Sequence, residues 1–118
     1  MSELVESIRE RYLATLDTIS VAAKKAGRAP EAVKLVVVTK SQPVEVVRAA
    51  IEAGAKILGE NYPEEGVMKI QSLQEFSAVE WHMIGHVQSR KAQLVAENFN
   101  LLHSLDSLKL ASRLDRFC

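Results

Sequence analysis

The chain has 118 residues, with 15 Lys+Arg balanced by 15 Asp+Glu and a pI near 6.8, so it has no global field to hold nucleic acid or an anionic membrane. Its single cysteine, Cys118, excludes an intrachain disulfide and a cysteine-based metal site, and suits a reducing compartment. Glu3, Glu6, Arg9, Glu10 and Arg11 interrupt the N-terminal apolar pattern and no run approaches about 18 apolar residues, so we expect a cytoplasmic protein without membrane contact, folded as one domain over residues 1–118.

From Ser2 to about Ala26, Leu4, Val5, Ile8, Tyr12, Leu13, Leu16, Ile19 and Val21 step by three and four, the stripe of an amphipathic helix capped by Ser2 and stopped by Gly27. A connector containing Pro30 leads to Lys34–Lys40. Within it, Leu35 to Thr39 are all apolar or β-branched, which predicts a strand covered on both faces, as in a parallel sheet wrapped by helices. Pro43 suits the first position of a second helix, with Val44, Val47 and Ile51 inward and Ala50 as a further candidate, ended by Gly54. A strand at Lys56–Leu58 and a turn at Gly59-Glu60-Asn61 precede a helix from Tyr62 to about Phe76, with Val67, Ile70 and Leu73 inward. Gly66 weakens that helix by roughly 1 kcal/mol relative to alanine. A strand over Val79–Gly85, a helix over Gln88–Asn98 and a strand over Phe99–His103 follow. Ser104 or Asp106 then caps a last helix carrying Leu108, Leu110, Ala111 and Leu114.

The order is an N-terminal helix and then strand and helix four times, with a period of about 20 to 25 residues, which predicts an α/β fold of βα units. A closed (β/α)₈ TIM barrel typically needs about 250 residues, so four units read as half of one, apparently truncated. Its first and last strands would expose unpaired edges, and self-association through those edges is expected.

Sites in such sheets lie at the carboxyl ends of strands. Lys40 sits there and could leave the apolar layer to form an imine with a carbonyl; its ordinary reading is a solvated lysine ending a strand. Imine chemistry uses a neutral amine, which burial or a nearby cation favours. Asn61 follows the second strand at the same end, where it would serve as helix N-cap, ligand contact or both. Glu60 is expected to pair with a neighbouring lysine. If even positions line the barrel interior, His82 and Ile84 join Val36 and Val38 there; otherwise His82 is a packed core histidine. His82 and His86 are four apart, but Gly85 and the strand pattern argue against a helical metal pair, and no metal is expected. Gln88-Ser89-Arg90-Lys91 opens a helix with a basic stretch that would welcome an anion or simply face water.

Four motifs in register, VVVTK, GAKILGENYPEE, EWHMIGHVQSRK and LLHSLDSLKLASRL, make the chain resemble the pyridoxal phosphate homeostasis proteins over nearly its whole length, as the N-terminal half of one. The resemblance implies a fold-type III barrel similar to the N-terminal domain of alanine racemase, with pyridoxal 5′-phosphate held as a Schiff base on Lys40. It implies buffering or delivery of the cofactor, with no established catalysis, and phosphate-gripping loops in later strands than these four. The sequence departs from the family at Pro63-Glu64, where Val-Gln is common, and at Arg90, where Asn is frequent. Two other readings are a racemase-like fold-type III enzyme using Lys40 as imine and base, and a cofactor-less half-barrel acting as an interaction module.

Overall fold

A computed structural model describes residues 2–118. The first helix, α1 (Glu3–Lys25), begins where the Ser2 side chain accepts the Val5 N–H, and carries Glu3 and Glu6 in its first turn and Lys24 and Lys25 in its last, each suited to the helix dipole. Four parallel strands follow, β1 (Val37–Val38), β2 (Ile57–Glu60), β3 (Glu80–Met83) and β4 (Leu101–Leu102), joined through α2 (Val44–Glu52), α3 (Pro63–Ser72) and α4 (Ala92–Asn98) and followed by α5 (Leu108–Phe117). The sheet order is β1-β2-β3-β4. When every strand lies beside its predecessor, right-handed crossovers put the helices on one face, which is the winding of a barrel; a doubly wound sheet would reverse direction at a switch point.

The register separates the two faces. Val37, Leu58 and Trp81 form one row and meet Val47, Ala50 and Leu73 of the helical layer, while Met83 packs with Val87, Ala92, Val95 and Leu110 in a second cluster. Against α2, α1 lays Val5 and Ile8 beside Ala49 and Ala53, and Arg9 donates to the carbonyls of Glu52 at 2.9 Å and Ala53 at 3.3 Å, closing the carboxyl end of α2. The opposite row, Val38, Gly59, His82 and Leu101, turns away from the helices.

The expectation that the Leu35–Thr39 run is covered on both faces does not hold. Only Val37 and Val38 are paired as strand, and Val38 is 50% exposed, because the face opposite the helices is open in a four-stranded sheet. Gly59 and Glu60 belong to β2 and make no turn: Gly59 stands where a Cβ would come within 2.9 Å of Val36 Cγ1 and 3.1 Å of Ile84 Cδ1, so the glycine reports crowding on that face. Pro43 is the cap of α2 rather than its first residue, and the predicted Gln88–Asn98 helix opens as a 3₁₀ turn at Ser89–Lys91. The cap of α5 is Ser107, whose side chain accepts the Leu110 N–H at 3.1 Å; Ser104 is bonded to the Gly85 carbonyl and Asp106 pairs with His86. Leu108 is 87% exposed in the first turn of α5, and Leu110 takes the core position.

Gly66 lies where α3 closes on the sheet: an added Cβ would stand 2.5 Å from Phe99 Cζ and 3.3 Å from Glu60 Cβ. Helix propensity alone favours Gly66→Ala by about 1 kcal/mol, whereas overpacking a core contact costs about 1–3 kcal/mol. Denaturant unfolding should therefore show a lower midpoint for Gly66→Ala at unchanged slope; a higher midpoint would mean that the Phe99 ring moves aside freely.

Candidate functional site

The carboxyl ends of the strands carry a charged network that secures the end of β1. Thr39 is buried, its N–H donates to the Gly59 carbonyl at 2.9 Å, and its hydroxyl is bonded to the Glu60 carboxylate. Glu60, at 0% exposure, and Lys69, at 1%, face each other from β2 and α3, with Lys69 Nζ 3.0 Å from both carboxylate oxygens. The same ammonium donates to the Thr39 carbonyl at 2.7 Å and pairs with Glu65 Oε1 at 3.0 Å. That Glu65 oxygen also accepts the Ser41 N–H at 2.9 Å, and Ser41 has φ +61°, a backbone conformation uncommon for a residue with a Cβ. Lys40 lies between Thr39 and Ser41 with an exposed side chain.

Asn61 follows β2 directly and is half-buried. It does not cap α3, whose N-terminal cap is Tyr62 without a side-chain hydrogen bond. Instead Asn61 lines a cavity of about 470 Å³ with Gly85, His86, Gln88, Arg90 and Lys91, and Lys40 is not among its walls. Gly85 lets the loop after β3 lie on the Asn61 backbone, since a Cβ there would fall 2.1 Å from the Asn61 carbonyl oxygen. Of the basic pair in that cavity, Lys91 is ion-paired with Glu64 and Arg90 is exposed.

His82 occupies the open-face row, yet only 5% of it is exposed. Its Nδ1 lies 3.0 Å from His103 Nε2, so one ring supplies the proton and the other the lone pair. Burial first, and the neighbouring His103 second, push the His82 imidazolium below the ordinary value of 6.5. His86 is exposed and turns to Asp106 at 3.3 Å, so the four-residue spacing does not join it to His82.

Sequence reasoning placed Lys40, Asn61 and His82 at one end or face of the sheet and gave Glu60 a lysine partner. It missed the burial of that partner, the part of Glu65 and the His82–His103 pair. The i,i+4 spacing of Glu65 and Lys69 was the one available signal, and it ordinarily marks a solvated helix face.

No family model matches the chain. Among curated proteins it is 46% identical over 101 residues to the pyridoxal phosphate homeostasis protein of Escherichia coli (strain K12), covering 84% of this chain and 43% of that protein. It is 41% identical over 114 residues to the protein of the same name from Vibrio alginolyticus, covering 94% and 49%. The chain thus spans less than half the length of these relatives. Among solved structures, an unknown protein from Bifidobacterium adolescentis superposes with a TM-score of 0.85 at 29% identity, over 98% of this chain and 51% of that one. PipY of Synechococcus elongatus, solved with PLP bound, gives 0.72 at 36% identity, over 84% and 47%.

Because folded His82 resists protonation more than unfolded His82 does, its contribution to stability is complete above about pH 6.5 and is lost as pH falls from there towards the folded value. The urea midpoint of the native chain should therefore drop more steeply between about pH 7.5 and 5.5 than that of His82→Gln. Parallel curves would show that His82 titrates as a solvated imidazole.

Proposed function

We propose, from the premise that this chain belongs to the family of pyridoxal phosphate homeostasis proteins over the stretch it shares with them, that it binds pyridoxal 5′-phosphate through Lys40 and serves the intracellular supply of that cofactor without catalysis of its own. The observation that carries this reading is Lys40 itself, a lysine at the carboxyl end of the first strand, exposed beside an open sheet face and flanked by residues whose backbone is fastened on both sides. Bound there, the cofactor supplies an aldehyde that a neutral lysine amine can hold covalently.

The donor set suits such a ligand. Lys40 offers the amine, and Asn61, at the next strand end, offers an amide that both donates and accepts. His82, kept neutral by burial, offers a wall without charge on the open face. The overlap with PipY, a structure containing PLP, supports the assignment. Residues 1–118 would act as one domain, and β1 and β4, the edges of the sheet, would favour self-association. No helix among the described residues is long and apolar enough to cross a membrane, and with one cysteine in the chain we place its action in the cytoplasm.

Titration with pyridoxal 5′-phosphate should raise a visible imine band, and borohydride followed by peptide mapping should leave the label on Lys40. Lys40→Ala should abolish both. Label on Lys34, Lys56 or Lys91 with Lys40 clean would overturn the assignment.

A further inference from the structure

We propose that Lys69, acting with Glu60 and Glu65, is a positioning residue for Lys40: the buried network fixes the peptide groups on both sides of Lys40 and so sets the direction in which its amine leaves the sheet. This inference rests on the reading of Lys40 as the cofactor's lysine and deepens it.

An ammonium has three protons, and each acceptor group around Lys69 leads back to the same turn. One is the Thr39 carbonyl at 2.7 Å, which belongs to the peptide group that continues into the Lys40 nitrogen. Another is the Glu60 carboxylate, also bonded to the Thr39 hydroxyl. The last is Glu65, which accepts the Ser41 N–H from the peptide group on the far side of Lys40. Lys40 itself has no side-chain hydrogen bond or ion pair among the described residues, so whatever orients it must act through the backbone. With both neighbouring peptide planes fixed, only its side-chain rotamers remain free.

Stability alone explains the arrangement poorly, because a buried ion pair is commonly worth no more than an apolar pair of the same volume. Ser41 points the same way. Its φ of +61° persists only where the surroundings impose it, and here the Glu65 carboxylate holds its N–H. An amine that must meet a carbonyl in one orientation gains from such a fixed base.

The test compares the full chain with Glu65→Ala, Glu65→Gln and the double variant Glu60→Gln/Lys69→Met, with Lys56→Met as control. Glu65 is partly exposed, so its variants fold even if the double variant does not. Amide exchange at Ser41, followed by NMR without cofactor, should quicken about tenfold or more in Glu65→Ala and in the double variant, and should return towards the native rate in Glu65→Gln, which keeps an acceptor. Attachment of pyridoxal 5′-phosphate at Lys40 should weaken about tenfold in the same two variants, with a smaller visible circular dichroism per unit absorbance, and stay unchanged in Lys56→Met. Native exchange at Ser41 in Glu65→Ala, or native attachment and dichroism in that variant, would overturn the positioning role. If the native chain fails to attach the cofactor at Lys40, the reading of the site fails, and Ser41 exchange alone then decides whether the network holds the turn.

Discussion

The ammonium of Lys69 and the carboxylate of Glu60 are enclosed together between α3 and the sheet, and much at the carboxyl ends of β1 and β2 depends on their meeting. An unpaired charge in that position would cost on the order of several kcal/mol, so neither residue tolerates the loss of the other. Their hydrogen bonds reach β1 through Thr39, β2 through Glu60 and α3 through Glu65, which ties three elements at one point. The absence of a side chain at Gly66 belongs to the same constraint, since it lets α3 approach Glu60 and Phe99 closely enough for Lys69 to be enclosed.

The two faces of the sheet differ in what covers them. The side towards the helices is apolar except for this network, and holds Val37, Leu58, Trp81 and Met83 against the helical layer. The other side carries the histidine pair and, at its upper rim, Lys40 and Asn61, with little apolar cover over Val38 and Leu101. Residues of the open side therefore do not compete with the core, and Glu60 belongs to the helical side, where its carboxylate meets Thr39 and Lys69.

Much of this was legible in the residues. The 3.6-residue stripe of α1, its Ser2 cap and the alternation of strands with helices each follow from local chemistry, and they led to the barrel-type arrangement, whereas the role given to Lys40 came from the family resemblance. What was not legible involves partners distant in sequence. Glu60 looked like part of a turn because Gly59 precedes it, and only the crowding by Val36 and Ile84 explains a glycine inside a strand. Nothing local to Lys69 reveals that its ammonium reaches the Thr39 carbonyl, 30 residues away in the chain. His103 was read as the end of a strand, and its bond to His82 depends on the register of β3 with β4. The cap of α5 is Ser107 rather than Ser104 or Asp106, and the first turn that it opens directs Leu108 to solvent.

The sequential strand order has a consequence for how the chain is made. Val37 pairs with Leu58 and His82 with Leu101, so strand partners lie only about 20 residues apart, which keeps contact order low for a parallel sheet. Each strand emerging from the ribosome finds its neighbour already synthesised, and no segment must wait for a distant one before it can pair. Assembly can proceed vectorially, one βα unit laid beside the last. The Lys69 network closes when α3 appears, well before β4 is available, so the turn bearing Lys40 can be set while the rest of the sheet is still being added.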